Sequence, residues 1–271
     1  MYTSLALGGG GVRGGLHVGA LAALESLKGN LQFPDGIYGS SVGSIVATAV
    51  AFNLKASQIK DMFDNHFDLN KFVPTLRLQN FGNLVEKKGF FTMDLLEETL
   101  LRAFAAQNVD LRGKLIEDAP QKLCILTSNM TTHTSTIMSG KVPVLEAIKC
   151  SSCLPIVYTP QIVGSDVYLD GGVLLESLES IVPETCLVIH ISDPMEAIRK
   201  EDLPEMPIAT FLHRVYRGMR GKPAAPNVLW LHEKSISILQ HITPQDKKHL
   251  YEEGYSQSLA FLSKRFTKEL K

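Results

Sequence analysis

The sequence predicts an α/β fold in which a central, mostly parallel sheet lies between helices. Short apolar segments with strand character alternate with longer segments of helical periodicity from the first residues onward. Hydrophobic residues make up 45% of the 271 residues and charged residues 20%, a globular composition that supports a large core. Glycine-rich turns separate the first two predicted strands from the helices after them. This order of strand, turn and helix is typical of parallel sheets.

The first third of the chain contains two such units. Residues 2–7 predict a strand that stops at a run of glycines, and apolar periodicity over residues 16–27 predicts the following helix. Residues 37–38 predict a very short second strand, and residues 44–53 predict its helix. Helical patterns continue over residues 57–67 and 92–105, with Thr92 as the predicted N-cap of the latter. The segment between them, residues 73–91, is predicted to be irregular.

The rest of the chain predicts further strands and two helices. The strands are expected at residues 122–127, 135–138, 167–169, 186–191 and 227–231. One helix is expected at residues 144–149. The other, at residues 243–268, opens with Thr243 as N-cap, Pro244 in the first helical position and Asp246 in the third. No internal repeat and no persuasive domain boundary interrupts this pattern.

Charge and apolar patterning exclude several classes of protein. The net charge of −1, from 27 Lys and Arg against 28 Asp and Glu, lacks the basic excess of a nucleic-acid-binding protein. The N-terminal segment has no basic start and its apolar run stops at Leu7, so no signal peptide is expected. The longest apolar stretch, residues 45–52, is far below the roughly 20 residues that span a bilayer. The expected location is the cytoplasm, with peripheral binding to membranes left open.

The four cysteines predict no metal site. Cys150 and Cys153 form one C-x-x-C pattern, but no second pair and no neighbouring histidine completes a zinc-binding set. We expect two small, partly buried thiols in preference to a redox pair.

A G-x-S-x-G motif indicates a nucleophile. It consists of Gly39, Ser40, Ser41, Val42 and Gly43, between the second predicted strand and its helix. In a sharp strand-to-helix turn this pattern raises the central hydroxyl out of the sheet, and the flanking glycines avoid collisions with neighbouring backbone. The alternative is a Ser- and Gly-rich helix cap without chemistry.

A nucleophilic serine needs a base, and histidine is the first candidate. His213, His232 and His241 lie downstream of Asp170 and Asp193, which would give the Ser-Asp-His order of α/β-hydrolases. However, only one predicted strand precedes the motif's own strand, whereas an α/β-hydrolase nucleophile follows several. His17 falls inside the first predicted helix and is expected to pack there or to bond to the backbone.

The glycine run between residues 8 and 15 has two interpretations. Gly9 to Gly14 satisfy G-x-G-x-x-G after a strand and before a helix, the context of a dinucleotide-binding loop. That fold requires an acidic residue at the end of the second strand; Asp35 has the right spacing but precedes the strand. The second interpretation is an oxyanion hole, in which consecutive N–H groups converge on one point.

Three motifs in this order resemble the patatin-like phospholipases. The segment LALGGGGVRGGLHVGAL, residues 5–21, resembles the family's glycine-rich opening, and residues 39–43 are similar to its nucleophile elbow. Asp170, Gly171 and Gly172 resemble its third signature, and CSSCLP at residues 150–155 resembles the approach to that aspartate. The family often has Asn and Pro soon after this signature, whereas this chain has LLES at residues 174–177. The likeness covers residues 4–185 and weakens afterwards.

The resemblance implies a three-layer α/β fold and a Ser–Asp dyad without histidine. Ser41 would attack an ester carbonyl while Asp170 accepts its proton, both lying where strands end at one crevice of a parallel sheet. The implied oxyanion hole consists of Gly9, Gly10 and Gly11. The motif-supporting residues are Arg13, Gly14, Gly39, Gly43, Gly171 and Gly172. Arg13 is expected to order the glycine loop or to contact a phosphate.

The resemblance also implies how the chain is organised. Residues 4–185 form the catalytic domain, and residues 186–271 complete the same domain with the last strands, a basic helix and the C-terminal helix. No cofactor and no metal are required.

The implied function is a lipid acyl hydrolase of phospholipase A type that acts on phospholipids or other lipid esters. A transient membrane contact is expected, with two candidate regions: Lys87 and Lys88 among the apolar residues of 84–95, and residues 212–222 with an arginine every third position. Ordinary solvated surface explains either region at least as well. The alternatives are a carboxylesterase or lysophospholipase, a non-catalytic lipid-binding scaffold and, least favoured, a nucleotide-binding oxidoreductase.

Overall fold

A computed structural model describes residues 2–73, 81–175, 178–192, 200–204, 206, 211 and 227–269. The strands are β1 (Ser4–Leu7), β2 (Gly36–Ser40), β3 (Gly89–Phe91), β4 (Leu123–Asn129), β5 (Thr134–Met138), β6 (Ile156–Tyr158), β7 (Gln161–Val163), β8 (Asp166–Leu169), β9 (Cys186–Ser192) and β10 (Val228–His232). The helices are α1 (Gly15–Lys28), α2 (Val42–Ala51), α3 (Ala56–Asp61), α4 (Phe81–Lys87), α5 (Asp94–Ala105), α6 (Val144–Ser152) and α7 (Pro244–Glu269).

Eight of these strands form one sheet. Its order is β10–β9–β1–β2–β4–β8–β7, and β5 also pairs with β4. The five strands from β10 to β4 run parallel, whereas β5, β8 and β7 are antiparallel to their neighbours. The short strands β3 and β6 pair separately. The predicted fold class, a mostly parallel sheet flanked by helices, is therefore confirmed.

The central strands are buried on both faces, as strands of parallel sheets usually are. Along β1, Leu5 and Leu7 join the large apolar cluster that the helices cover, while Ala6 faces a smaller cluster on the other side. The same alternation separates Ile189 from Val188 along β9. Leu175 and Leu178, which follow β8, close the smaller cluster.

Helices α1 and α7 pack with their backbones almost in contact. A Cβ built at Gly19 would overlap the Tyr251 carbonyl, and one built at Gly254 would overlap the Leu16 carbonyl. Helix α7 begins with the predicted capping box: the Thr243 hydroxyl accepts from the Asp246 N–H at 3.2 Å, and the Asp246 carboxylate accepts from the Thr243 N–H at 2.7 Å.

Several local predictions were wrong. The segment predicted to be irregular contains α4 and β3, and strands β6 and β7 were missed because each has only three residues. Helix α5 begins one residue later than expected, with Met93 at the N-cap; Thr92 instead donates its hydroxyl to Asp94. The helix expected over residues 57–67 splits into α3 and a π turn, Met62–His66.

Within the described ranges, no helix is long and apolar enough to cross a bilayer. The arginine-rich region at residues 212–222 lies outside those ranges.

The antiparallel direction of β8 brings its last residue close to the last residue of β2. Strand β5 occupies one side of β4 over residues 125–129, so both β2 and β8 lie on the other side. Ser40, the last residue of β2, is opposite Leu126, and Leu169, the last residue of β8, is opposite Ser128. Only one residue of β4 separates these positions, about 7 Å along the strand. Strands β2 and β8 therefore run toward each other and end almost head to head.

Candidate active site

Ser41 occupies a strained turn between β2 and α2. Its φ of 55° and ψ of −131° lie in a region that non-glycine residues rarely adopt. Ser41 is the N-cap residue of α2, but its side chain makes no capping hydrogen bond to that helix. The two motif glycines permit the turn: a Cβ at Gly39 would lie 2.6 Å from the Gly43 carbonyl oxygen, and one at Gly43 would lie 2.5 Å from that of Gly8.

The backbone of Ser41 is held from both sides. Its N–H donates to the Ser151 hydroxyl at 2.9 Å, and its carbonyl accepts from the Ser44 hydroxyl and the Ser44 N–H at 2.6 and 2.8 Å. These bonds lie in a buried environment, where they resist rearrangement. The surrounding structure therefore imposes the strained conformation.

Asp170 follows β8 and lies where that strand meets β2. The sequence predicted that Ser41 and Asp170 follow parallel strands that end at the same edge of the sheet. In the structure β8 is antiparallel to β2, and the two residues approach each other because these strands end head to head. Gly171, the next residue, is so close to β2 that a Cβ there would lie 2.7 Å from Ser40 Oγ. Ser41 and Asp170 are thus each one residue beyond strands that converge on the same position beside β4.

The loop that carries Asp170 is fixed by its own hydrogen bonds. The Asp170 N–H donates to the Cys153 carbonyl at 3.0 Å, and its carbonyl accepts from the Ser128 hydroxyl at 2.9 Å. Its carboxylate Oδ1 accepts from the Gly172 N–H at 2.8 Å. The side chain is 4% exposed, so the carboxylate lies in a nearly water-free environment.

Ser151, at the end of α6, connects the two strand ends, and sequence reasoning did not single it out. Its hydroxyl accepts from the Ser41 N–H and donates to the Leu126 carbonyl at 2.6 Å, while its own carbonyl accepts from the Gly171 N–H at 3.1 Å. The only sequence signal was its place in the CSSCLP segment before Asp170.

The glycine loop lies directly beside Ser41. A Cβ built at Gly9 would be 3.2 Å from the Ser41 Cβ and 3.8 Å from its Oγ. Gly11 has a φ of 57°, and a Cβ there would overlap the Ile238 carbonyl. Across the described ranges, the N–H groups of Gly9, Gly10 and Gly11 have no protein acceptor, whereas the Val12 N–H bonds to Ile238. The described protein therefore leaves these three backbone donors unused.

Buried side chains hold this loop in place. Arg13 is 1% exposed and donates through Nε to the Gly10 carbonyl and through a guanidinium nitrogen to the Ser192 carbonyl, both at 3.3 Å. Gly14 packs against Val42, where a Cβ would be 2.6 Å from the valine Cγ2.

His17 is fully buried beneath the same loop. Its Nε2 lies 2.8 Å from the Gly8 carbonyl oxygen and so must donate to it. Burial lowers the pKa of His17 to about 4, so the ring is neutral at physiological pH. This contact agrees with the backbone bond expected for His17.

An apolar groove opens next to Ser41. It has a cavity volume of about 70 Å³ and is bordered by Ser41, the glycine loop, α5 and the loop after β10. Its apolar side chains are Val12, Val42, Ile45, Phe67, Leu69, Phe72, Met93, Leu96, Leu154, Tyr158, Ile238 and Leu239. Ser152 also borders it.

The histidine-based and nucleotide-binding alternatives do not fit this geometry. His232 Nδ1 lies 2.6 Å from the Ser192 hydroxyl, His241 is exposed, and His213 lies outside the described ranges. Asp35 is bonded to Thr3 at the amino end of the sheet, whereas the glycine loop follows the carboxyl end of β1. A dinucleotide cannot use both ends at once.

Cys150 and Cys153 are buried thiols. Burial raises the pKa of Cys150 to about 12 and that of Cys153 well above its usual value. Cys153 donates weakly to the Cys150 and Tyr168 carbonyls, each at 3.4 Å. Among the residues that the structure describes, no group of three or more His, Cys, Asp or Glu could hold a metal ion.

The chain is 29% identical over 177 residues to the uncharacterized protein R571 of Acanthamoeba polyphaga mimivirus, a match that covers 62% of this chain and 57% of that protein.

Two solved structures share the fold. VipD from Legionella pneumophila has a TM-score of 0.61 at 16% identity, covering 97% of this chain and 67% of VipD. ExoU, in its complex with SpcU from the type III secretion system of Pseudomonas aeruginosa, has a TM-score of 0.53 at 18% identity, covering 98% and 52%. The chain thus spans about half to two thirds of the proteins that it resembles. A family model, the patatin-like phospholipases, matches residues 5–177, more than half of the chain. The chain therefore belongs to the patatin-like phospholipase family.

Proposed function

We propose that this protein is a lipid acyl hydrolase of phospholipase A type, with Ser41 as nucleophile and Asp170 as base. Membership of the family implies lipid acyl hydrolysis. The observation that carries the specific assignment is the strained Ser41 turn, which borders an apolar groove at the point where β2 and β8 meet. No histidine takes part in this mechanism.

In the first step, Ser41 Oγ forms a bond to the ester carbonyl carbon while Asp170 accepts the hydroxyl proton. The head-to-head approach of β2 and β8 supports this pairing. A carboxylate is a weak base in water, with a pKa near 4 in model peptides, and removal from solvent strengthens it. The burial of Asp170 supplies that environment.

The carbonyl oxygen then carries a negative charge. The N–H groups of Gly9, Gly10 and Gly11 are suited to hold it, because they belong to the loop that contacts Ser41 through Gly9 and have no acceptor within the described protein. Donors fixed before the reaction stabilise such an oxyanion without reorganisation, and each is worth about 3–4 kcal/mol. Arg13 and His17 hold the loop from below.

Collapse of the tetrahedral intermediate breaks the ester bond, and the proton held by Asp170 passes to the leaving alcohol oxygen. The acyl group stays on Ser41, and the apolar groove is suited to hold its chain. Each methylene removed from water contributes about 0.8 kcal/mol to binding. A water molecule next attacks the acyl carbon, gives a proton to Asp170, and releases the fatty acid as that proton returns to Ser41 Oγ.

We propose that residues 4–185 and 186–271 act as one catalytic unit. Strand β9 pairs with β1 next to the glycine loop, and the Ile238 carbonyl holds Val12 at 3.0 Å. A chain cut after residue 185 would lose both supports, so we expect it to lose ester turnover.

Labelling with a fluorophosphonate, which modifies activated serines, tests the nucleophile. We expect the unaltered chain and Ser152→Ala to label and Ser41→Ala to remain unlabelled; Ser152 is the matched control because it borders the same groove. Asp170→Asn should lose turnover of phosphatidylcholine with the fold intact. Equal labelling of Ser41→Ala would overturn the assignment.

Product analysis separates the alternatives. Release of fatty acid from phosphatidylcholine supports a phospholipase A, whereas turnover restricted to lysophospholipids or short esters supports a lysophospholipase or carboxylesterase. Lipid binding without labelling or turnover supports the scaffold.

A further inference from the structure

Residues 85–89 and Ile156 form a corner of the surface that takes no part in the proposed ester hydrolysis. We call it the α4–β6 corner. Val85 is 71% exposed and Ile156 is 39% exposed, and both are among the large apolar side chains most accessible to water. Gly89 pairs with Ile156 between β3 and β6, which brings the two chain segments side by side.

The backbone holds this corner in an unfavourable conformation. Lys88 has a φ of 61° and Ile156 a φ of 70°. A positive φ is a marked outlier for a β-branched residue, because its branched Cβ crowds the backbone. Gly89 permits the close approach of the strands, since a Cβ there would overlap the Tyr158 backbone. A strained apolar residue kept at the surface points to a role at that surface.

The corner adjoins the groove. Ile156 lies between Leu154 and Tyr158 in sequence, and both of these side chains border the groove. The Tyr158 hydroxyl donates to the carbonyl of Phe72, another residue that borders the groove, at 2.8 Å. A bilayer lipid that reaches the corner is therefore close to the groove that leads to Ser41.

The charge of the corner fits an anionic surface. Lys87 and Lys88 are exposed, with Glu86 beside them, so residues 86–88 carry a net charge of +1. The Lys88 ammonium donates to the Val85 carbonyl at 2.7 Å, near the last turn of α4, where a cation is favoured. An apolar tip next to lysines is the pattern of a segment that enters the interface of a bilayer.

We propose that the α4–β6 corner docks on bilayers that contain anionic phospholipid headgroups, with Val85 and Ile156 entering the interface and Lys87 and Lys88 contacting the headgroups. The role of this contact in feeding lipid to Ser41 rests on the proposed function; the contact itself does not.

Co-sedimentation with vesicles of phosphatidylcholine plus phosphatidylglycerol tests the proposal. The full chain carries Ser41→Ala so that the vesicles stay intact. Ile156→Asn should weaken binding roughly fivefold to tenfold, because it removes an inserting apolar group. Asn tolerates a positive φ, so this variant should fold. Ile137→Asn is the matched control: Ile137 is 41% exposed on β5, on the other side of β4 from β2, and its replacement should leave binding unchanged.

The charge is tested by Lys87→Gln and Lys88→Asn. Each should weaken binding roughly fivefold and reduce its salt dependence. Equal binding to vesicles of phosphatidylcholine alone would overturn the anionic preference. Unchanged binding by Ile156→Asn, or an equal loss with Ile137→Asn, would overturn the corner as the docking site.

Turnover of a short-chain, water-soluble p-nitrophenyl ester by the unaltered chain separates the two proposals. Vesicle binding without ester turnover would leave the docking site standing and reject the hydrolase. Ester turnover without vesicle binding would leave the hydrolase standing and reject the docking site.

Discussion

Ser41 and Ile156 are both non-glycine residues held at positive φ, yet the protein supports them in opposite ways. Ser41 is 8% exposed, and its backbone N–H and carbonyl are both hydrogen-bonded to serine hydroxyls. Ile156 lies at the surface, in a two-stranded sheet apart from the main one. Strain of about 1–3 kcal/mol at each residue is retained by buried polar bonds in one case and by a short strand pair in the other.

The two regions should therefore tolerate substitutions differently. Around Ser41, small residues and hydroxyls are fixed by neighbours from β1, β4 and α6, so most substitutions there should damage the fold and the chemistry together. Around Ile156, a substitution meets solvent and should change surface behaviour alone. Substitutions in each region test this difference.

The largest effect is expected for Gly43→Ala. The new methyl group would meet the carbonyl oxygens of both Leu7 and Gly8, and backbone atoms cannot move away easily. We expect a loss of about 3 kcal/mol or more in the free energy of unfolding, measured by urea denaturation. Gly82→Ala in α4 is the matched control, because a Cβ there meets nothing within 4 Å. It should stabilise by about 0.5–1 kcal/mol, and equal losses for both variants would contradict the difference.

The second effect is the pH dependence of stability that comes from His17, which is hydrogen-bonded to the Gly8 carbonyl in the glycine loop. The pKa of His17 falls from 6.5 to about 4 on folding, so the unfolded chain binds the proton first as the pH falls. Stability should drop by about 3 kcal/mol between pH 6.5 and 4, and stay level above pH 6.5 as far as this group is concerned. His17→Gln keeps a donor for the Gly8 carbonyl without a titrating ring. The melting temperature of this variant should fall less steeply between pH 6.5 and 4. Parallel curves of melting temperature against pH for the two proteins would show that His17 is not the group responsible.

Ser151→Ala should have a smaller effect on stability and a clear effect on rate. It leaves the buried Ser41 N–H without its acceptor, at a cost of about 1–3 kcal/mol. Because the Ser151 hydroxyl links the Ser41 backbone to the Leu126 carbonyl, its loss should loosen the position of Ser41, and we expect kcat for a soluble ester to fall roughly tenfold to a hundredfold with little change in KM. Ser152→Ala is the control, since the Ser152 hydroxyl has no partner in the described protein. A higher KM with unchanged kcat in Ser151→Ala would argue against a positioning role.

The sequence predicted the parts of the molecule that rest on local patterns. Apolar periodicity identified α1, α2 and α7, and turn chemistry identified the Ser41 turn and the Thr243 cap. The family resemblance was confirmed by the match over residues 5–177. These features depend on neighbours within a few positions along the chain.

The missed features depend on contacts between distant residues. The antiparallel direction of β8, and hence the meeting of β2 and β8, follows from pairing with β4, about forty residues earlier in the chain. Ser151 connects Ser41, Leu126 and Gly171 through space, and none of these is its sequence neighbour. A three-residue strand such as β6 carries too little pattern to be recognised, so the positive φ of Ile156 was not foreseen.

The smallest effect, and the one that separates the two regions most directly, is the stability of Ile156→Asn. Asn adopts a positive φ more readily than a β-branched residue does, and the replaced side chain is already partly exposed. We therefore expect the free energy of unfolding to stay level or to rise by about 1 kcal/mol, with soluble-ester turnover unchanged. Differential scanning calorimetry measures the first and a p-nitrophenyl ester assay the second. A loss of more than about 1 kcal/mol would mean that the Ile156 side chain holds β6 in place, as core residues do, and would make its conformation structural. Gained or unchanged stability together with weakened vesicle binding would mean that Ile156 serves membrane docking and not the stability of the fold.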